Sequence, residues 1–313
     1  MVRQRVLFGS LMLVGLLALM AADARLSSDA SAPYAASVRA LGFGGLTTVS
    51  FTLLVLVGAV ELCSLFRRAG HRPAVSWCLI VVVLMMAGPW LASAHGRTAP
   101  AGGDGWPARI GDLDRNLPWL AIFGTAIVLI WRQRTDGAIA DFAVSLLVMF
   151  YAGYLGSFAV RLRCWQPGPE GAWIVFATLA VIKVTDIGAY FTGLWLGRHA
   201  LIPRISPKKT WEGLIGGILA SGIVSWLLLG LVGPRLGWAG VTDGLTVPQA
   251  FVFGIVMAII GQLGDLAESL FKRDCGAKDS ARLVPAFGGM LDLIDSPLMA
   301  VPAAYWLLRW WLL

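Results

Sequence analysis

Long apolar runs separated by short polar segments occupy most of this 313-residue chain. Nine of the runs are long enough, or nearly long enough, to cross a bilayer as helices, since a span needs about 20 apolar residues. They lie at residues 6–22, 41–62, 75–94, 117–131, 138–160, 172–196, 214–232, 247–263 and 297–313. The pattern predicts an all-α, polytopic integral membrane protein with about nine transmembrane helices.

The first run also has features of a secretory signal peptide. Arg3 and Arg5 precede its apolar core, and Ala22-Asp23-Ala24 has the small residues of a cleavage site. Its removal would disturb the topology described below. We therefore treat it as a retained span and leave cleavage as the alternative.

Composition and charge narrow the class of protein further. Hydrophobic residues make up 58% of the chain and charged residues 14%, which is not the mixture of a soluble domain. The net charge is +7, but the basic residues are scattered over short loops without interleaved aromatic residues, so no nucleic-acid partner is predicted. The four cysteines and three histidines lack ligand spacing, so neither a disulfide framework nor a zinc site is predicted.

The basic residues do predict an orientation. With a cytoplasmic N-terminus, fifteen of the 25 lysines and arginines lie in inside segments and nine lie outside, as the positive-inside rule requires. This orientation, in a bacterial-type inner (plasma) membrane, places loops 197–213 and 264–296 in the cytoplasm, where nucleoside triphosphates are. We divide the chain into an N-terminal membrane-spanning region, residues 1–170, and a membrane-embedded catalytic region, residues 171–313.

The stretch 264–296 carries the densest group of ionised side chains. Four polar residues there have the spacing i, i+3, i+4 and i+7, so a helix would place them on one face: Asp265, Glu268, Ser269 and Lys272. Asp292 and Asp295 can share a face in the same way if a helix begins near Asp292.

Further charges separate these two groups: Arg273, Asp274, Lys278, Asp279 and Arg282, followed by Gly288-Gly289. Carboxylates can hold a hard cation, and fixed cations can hold phosphate oxygens. Together they are the parts of metal-assisted phosphoryl or nucleotidyl transfer. The alternative is a solvated loop of mixed charge between two spans.

An ionisable pair, Lys183 and Asp186, lies inside a predicted span, where charge is costly unless it is paired or lines a polar cavity. A helix places both on one face, with Tyr190 one turn beyond. They form either a structural ion pair between helices or the wall of a cavity that also contains the carboxylates of 264–296.

A second basic element is RISPKKTWEG, Arg204 to Gly213. Ser206 can cap a helix that starts at Pro207, and the first turn would then hold Lys208, Lys209 and Thr210 near an anion. The alternative is a pair of lysines that contacts anionic lipid headgroups.

These residues resemble the phosphatidate cytidylyltransferases, also called CDP-diacylglycerol synthases. That family's signature reads Ser-x-x-Lys-Arg, four residues, Lys-Asp, then His-Gly-Gly, two residues, Asp-Arg-x-Asp. Here the corresponding residues are Ser269, Lys272, Arg273, Lys278, Asp279, Phe287, Gly288, Gly289, Asp292, Leu293 and Asp295. The segments 186–190, 206–213 and 264–268 also resemble the family. Phe287 and Leu293 depart from it, standing where the family usually has His and Arg.

The resemblance implies a nucleotidyltransferase of phospholipid synthesis, which makes CDP-diacylglycerol and pyrophosphate from CTP and phosphatidate with Mg²⁺ as cofactor. On this basis we expect three groups of site residues. The metal ligands are Asp265 and Asp292, with Asp295 or Ser269 as additional ligands. The catalytic group is Asp265, Lys272, Arg273, Lys278, Asp279, Asp292 and Asp295. The substrate-binding group is Asp186, Ser206, Lys208, Lys209, Thr210, Glu268 and Ser269.

Three other interpretations stay open. The first is a CTP-dependent polyprenol or lipid kinase, and the second is a membrane transporter that uses Lys183 and Asp186. The third is an inactive paralogue, which the departures from the family signature at Phe287 and Leu293 would explain. The expected partners are CTP, phosphatidate and the lipid bilayer. A homodimer, the acyl-chain preference, the use of dCTP and a second cation are left open by the sequence.

Overall fold

The structure is a computed structural model that describes residues 14–26, 44–98, 106–166, 168–237, 244–281 and 288–312. These residues form nine helices and one small hairpin. The helices are α1 (14–26), α2 (Gly45–Arg68), α3 (Val75–Thr98), α4 (Trp106–Trp131), α5 (Ala138–Trp165), α6 (Pro169–Leu196), α7 (Trp211–Arg235), α8 (Val247–Asp274) and α9 (Leu291–Leu312). The hairpin strands are β1 (Ala200–Ile202) and β2 (Ser206–Thr210).

Seven of these helices, α2, α3 and α5 to α9, are long and apolar enough to cross a membrane. The prediction of an all-α polytopic membrane protein is therefore confirmed. The other two predicted spans correspond to α1, of which only 14–26 is described, and to α4, whose first half carries Asp114 and Arg115. The count of nine spans stays a prediction.

The helix ends differ from the apolar runs. Residues 264–296 do not form one loop, because α8 continues to Asp274 and α9 starts at Leu291. Similarly, α4 starts at Trp106 and not near residue 117. An apolar run marks only the length of a helix that would cross the bilayer. The helix itself can continue into polar residues wherever the N–H and C=O groups at its ends find hydrogen-bond partners.

The expected helix start at Pro207 is wrong. Residues 206–210 form β2, which pairs antiparallel with β1 (Ala200 opposite Thr210, Ile202 opposite Ser206). The helix begins at Trp211, and Thr210 is its cap, with Thr210 Oγ1 accepting from Gly213 N at 3.1 Å. The hairpin satisfies backbone groups of residues 206–210, so Ser206 is a strand residue and not a cap.

Buried hydroxyls join α6, α7 and α8. Ser221 Oγ on α7 lies 3.1 Å from Val181 O on α6 and 3.0 Å from Gly254 O on α8, and Ser225 Oγ donates to Ala250 O at 2.6 Å. Side-chain hydrogen bonds of this kind hold helices together in a membrane. They fix α7, and with it the hairpin that precedes α7, relative to α8.

A buried ion pair joins α1, α2 and α5. Arg163 Nε lies 2.6 Å from Asp23 Oδ2, and the two side chains are 1% and 0% exposed. Thr47 Oγ1 donates to the same Asp23 oxygen at 2.9 Å. Since a buried charge needs a counter-charge, the segment that also resembles a signal peptide supplies one to a buried arginine of α5.

We expect Arg163→Met to lower the thermal unfolding temperature in detergent, because it removes the guanidinium group that lies 2.6 Å from buried Asp23. Breaking one side of a buried pair costs about 3–5 kcal/mol. Adding Asp23→Asn should recover most of the loss. The control is Arg134→Met, at an exposed position, and equal unfolding temperatures in the control and in Arg163→Met would contradict the assignment.

Candidate functional site

Three carboxylates from two helices converge where α8 and α9 pack together. Asp265 and Glu268 lie one turn apart on α8, and Asp295 lies on α9. One carboxylate oxygen of each lies within 4.8 Å of the others. Glu268 and Asp295 are buried, at 0% and 5% exposure. We call these three residues the acid cluster, and such a set of oxygen ligands suits a hard divalent cation such as Mg²⁺.

Two lysines lie against these carboxylates. Lys209 of β2 places its Nζ 2.5 Å from Asp265 Oδ2. Lys272 of α8 forms an ion pair with Glu268, one turn earlier, and its Nζ lies 2.5 Å from Asp292 Oδ1 on α9. Positive and negative charges therefore alternate through the site, and Lys272 connects the two helices.

Asp292 lies in the first turn of α9, next to the loop that connects α8 to α9. Its Oδ2 accepts a hydrogen bond from Gly289 N at 2.7 Å and lies 3.0 Å from Ser280 Oγ. Its other oxygen is the one paired with Lys272. The acid cluster contains Glu268, which was expected to bind substrate, and does not contain Asp292. The metal roles of Asp265, Asp292 and Asp295 stay predictions.

Glu61, a residue of α2 that was not among the predicted site residues, is buried and 3% exposed. Its Oε1 accepts from Met290 N and its Oε2 from Leu291 N, both at 2.8 Å. Glu61 therefore binds the backbone N–H groups at the start of α9, where a negative charge also complements the helix dipole. A single glutamate inside an apolar run was the available signal, since such a charge needs a partner.

Ser280 stands between Glu61 and Asp292, with its Oγ 3.0 Å from Glu61 Oε2 and 3.0 Å from Asp292 Oδ2. The hydroxyl has one proton, so it donates to one carboxylate at a time.

Backbone conformation and steric constraints explain why glycine occupies both positions just before α9. Gly288 has a φ of +101°, which favours glycine. A Cβ on Gly289 would overlap Ser280 Oγ and Glu61 Oε2. The chain can enter α9 between these two side chains only without a side chain of its own.

The pair Lys183 and Asp186 lies on one face of α6, as predicted, with Nζ and Oδ2 3.7 Å apart. Lys183 Nζ also donates to Leu293 O at 2.9 Å, between Asp292 and Asp295 on α9. Both side chains are about 40% exposed, so they line an open part of the site. At Leu293, where the family usually has Arg, the backbone carbonyl is thus contacted by a cation from another helix.

The remaining predicted residues lie around this centre. Ser269 Oγ donates to Asp265 Oδ1 at 3.4 Å. Arg273 is exposed and contacts the carbonyls of Ile205 and Ala277. Three further predicted residues are also exposed: Lys208, Lys278 and Asp279. Phe287 and Arg282 lie outside the described residues.

Residues 34–311 match the cytidylyltransferase family. The chain belongs to this family. Among its relatives are the phosphatidate cytidylyltransferases of Synechocystis sp., 38% identical over 56% of this chain and 64% of that protein, and of Brucella suis, 41% identical over 59% and 62%. The enzyme of that name from Staphylococcus haemolyticus is 29% identical over 83% of this chain and 88% of its own. The chain spans less than two thirds of the length of the first two.

We expect Glu61→Gln to speed backbone hydrogen exchange in a peptide covering residues 288–296 by about tenfold or more. Hydrogen bonds to a charged acceptor contribute about 1.5–3 kcal/mol each, and the amide of Gln replaces only part of this. Mass spectrometry of the exchanged protein in detergent measures the effect. Glu170→Gln, at the start of α6, makes the same change away from the start of α9, and equal exchange in both variants would refute the capping role of Glu61.

Proposed function

We propose that this protein transfers CMP from CTP to phosphatidate, giving CDP-diacylglycerol and pyrophosphate for phospholipid synthesis. The observation that carries the proposal is the alternation of lysines and carboxylates in one site of a cytidylyltransferase-family chain: Lys209 with Asp265, and Lys272 with Glu268 and Asp292. The names of the relatives support the choice of substrates.

In the proposed reaction an oxygen of the lipid phosphate attacks the α-phosphorus of CTP. A new P–O bond forms, the bond from the α-phosphorus to the oxygen bridging to the β-phosphate breaks, and pyrophosphate leaves. Both reactants are anions, so catalysis consists mainly of positioning and charge neutralisation. The lipid phosphate is already nucleophilic at neutral pH, which removes the need for a strong base.

The acid cluster fits a divalent cation, because three carboxylate oxygens lie within 4.8 Å of one another. Asp265, Glu268 and Asp295 would hold Mg²⁺, with Asp292 and Ser269 as further ligands. Bound there, Mg²⁺ would offset the negative charge of the triphosphate.

The lysines have a role before and after substrate binding. In the protein alone, Lys209 and Lys272 neutralise carboxylates that would otherwise be unpaired charges in a membrane. When cation and nucleotide bind, we propose that the carboxylates turn to the cation and the lysines to phosphate oxygens, so that every charge keeps a partner. Lys208, Arg273 and Lys278 would attract the anionic substrates at the rim.

The other predicted residues support this arrangement. Ser206 and Thr210 hold the hairpin that carries Lys209, and Asp186 orients Lys183. Asp279 lies beside Lys278 in the loop before α9 and would orient it. We propose that the site faces the cytoplasm of a bacterial-type inner membrane, with the acyl chains between helices.

The test is to incubate purified protein with phosphatidate, CTP and Mg²⁺. We expect CDP-diacylglycerol and pyrophosphate in equal amounts. Asp265→Asn should reduce the rate by about 10²–10³, the usual cost of losing a group that stabilises the transition state. Asp274→Asn, at the exposed end of the same helix, should retain the wild-type rate.

Two results would contradict the proposal. Release of CDP with a phosphorylated lipid would identify a kinase instead. Full turnover by Asp265→Asn would show that Asp265 is not needed for the reaction.

A further inference from the structure

Tyr151 is a buried residue that the proposed reaction does not use. It lies in a π-helical turn of α5, Met149–Tyr154, and is 5% exposed. Among the described residues, its hydroxyl has no hydrogen-bond partner. Buried hydroxyls are nearly always hydrogen-bonded. We therefore expect the hydroxyl of Tyr151 to bind a water or a ligand.

The surroundings of Tyr151 indicate where that partner would be. Its ring packs edge-on against Phe271 of α8, with ring centroids 5.6 Å apart. Phe271 lies one turn beyond Glu268 on the same helix. Tyr151 therefore packs against the helix that carries Asp265 and Glu268, two members of the acid cluster.

The backbone at this point is also irregular. A π-helical turn has a wider repeat than an α-helix and changes the direction of the side chains that it carries, and such turns occur often at functional sites. In α5 the turn places Tyr151 among buried residues next to α8. The irregular turn and the unpartnered hydroxyl are separate observations about the same residue.

We propose that the Tyr151 hydroxyl donates a hydrogen bond to an oxygen carried by the cation in the acid cluster. That oxygen is a water of the hydrated ion in the absence of nucleotide and a phosphate oxygen when nucleotide is bound. The proposal rests on the proposed function, because it requires a cation at Asp265, Glu268 and Asp295. Tyr151 is then a positioning residue contributed by the N-terminal region.

The chemistry of the groups supports this assignment. The cluster carboxylates accept hydrogen bonds, and a phenol can donate one. In the structure the hydroxyl makes no direct hydrogen bond to these carboxylates. An oxygen bound to the cation would accept a hydrogen bond from the Tyr151 hydroxyl, which removes the cost of the unpartnered hydroxyl.

The decisive variant is Tyr151→Phe, which removes the hydroxyl and keeps the ring against Phe271. Without ligand, its unfolding temperature should equal or exceed that of the wild type, because a buried unpartnered hydroxyl is lost. Its affinity for Mn²⁺, used as a paramagnetic substitute for Mg²⁺, should fall about three- to tenfold, the effect of one hydrogen bond. Ligand-induced thermal stabilisation and electron paramagnetic resonance of free Mn²⁺ measure this affinity without turnover.

The matched control is Tyr154→Phe, in the same π-helical turn, where the half-buried ring packs on Phe150 and Phe158. Its Mn²⁺ affinity should equal that of the wild type. In a second titration with CTP present, Tyr151→Phe should again lose affinity for Mn²⁺, because the hydroxyl then donates to a phosphate oxygen.

Equal Mn²⁺ affinities in the wild type and Tyr151→Phe, with and without CTP, would overturn the Tyr151 proposal and leave the proposed function intact. A wild-type protein that binds no Mn²⁺ would contradict the cation site and the role of Tyr151 together.

Discussion

Lys272 makes the interaction on which the site depends. Its ammonium group pairs with Glu268 on its own helix and with Asp292 at the start of α9, and its side chain is only 11% exposed. A charge at this depth is costly unless its partners are fixed. The pairing therefore sets the position of α9 against α8, and with it the position of Asp295 relative to Asp265. The acid cluster follows from this packing.

The start of α9 is held from a second direction by the N-terminal region. Glu61 of α2 accepts hydrogen bonds from the first N–H groups of α9 and approaches Ser280, while Tyr151 of α5 packs against α8 beside the acid cluster. The division at residue 170 separates the signature residues from the rest of the chain. It does not separate the candidate site, because the first region supplies groups that contact α8 and α9.

The sequence predicted what depends on local spacing. Helical periodicity placed Ser269 next to Asp265 and Lys272 next to Glu268, and the structure has both contacts. The sequence-based prediction was wrong where backbone hydrogen bonding between segments determines the secondary structure. Ser206 is the example, because its segment forms a strand that pairs with β1. It also could not identify the partners of Glu61 and Tyr151, since these depend on how helices distant in sequence cross.

We propose that the charged groups in the ion pairs of the site bind the charges of the substrates and are not merely structural. The most direct test reverses one pair, with Lys209→Asp and Asp265→Lys in the same protein. We predict that each single variant lowers the unfolding temperature, that the double variant regains most of it, and that CDP-diacylglycerol formation stays at least 10²-fold below wild type. Recovery of both stability and turnover in the double variant would show that the pair is only structural and would contradict this account.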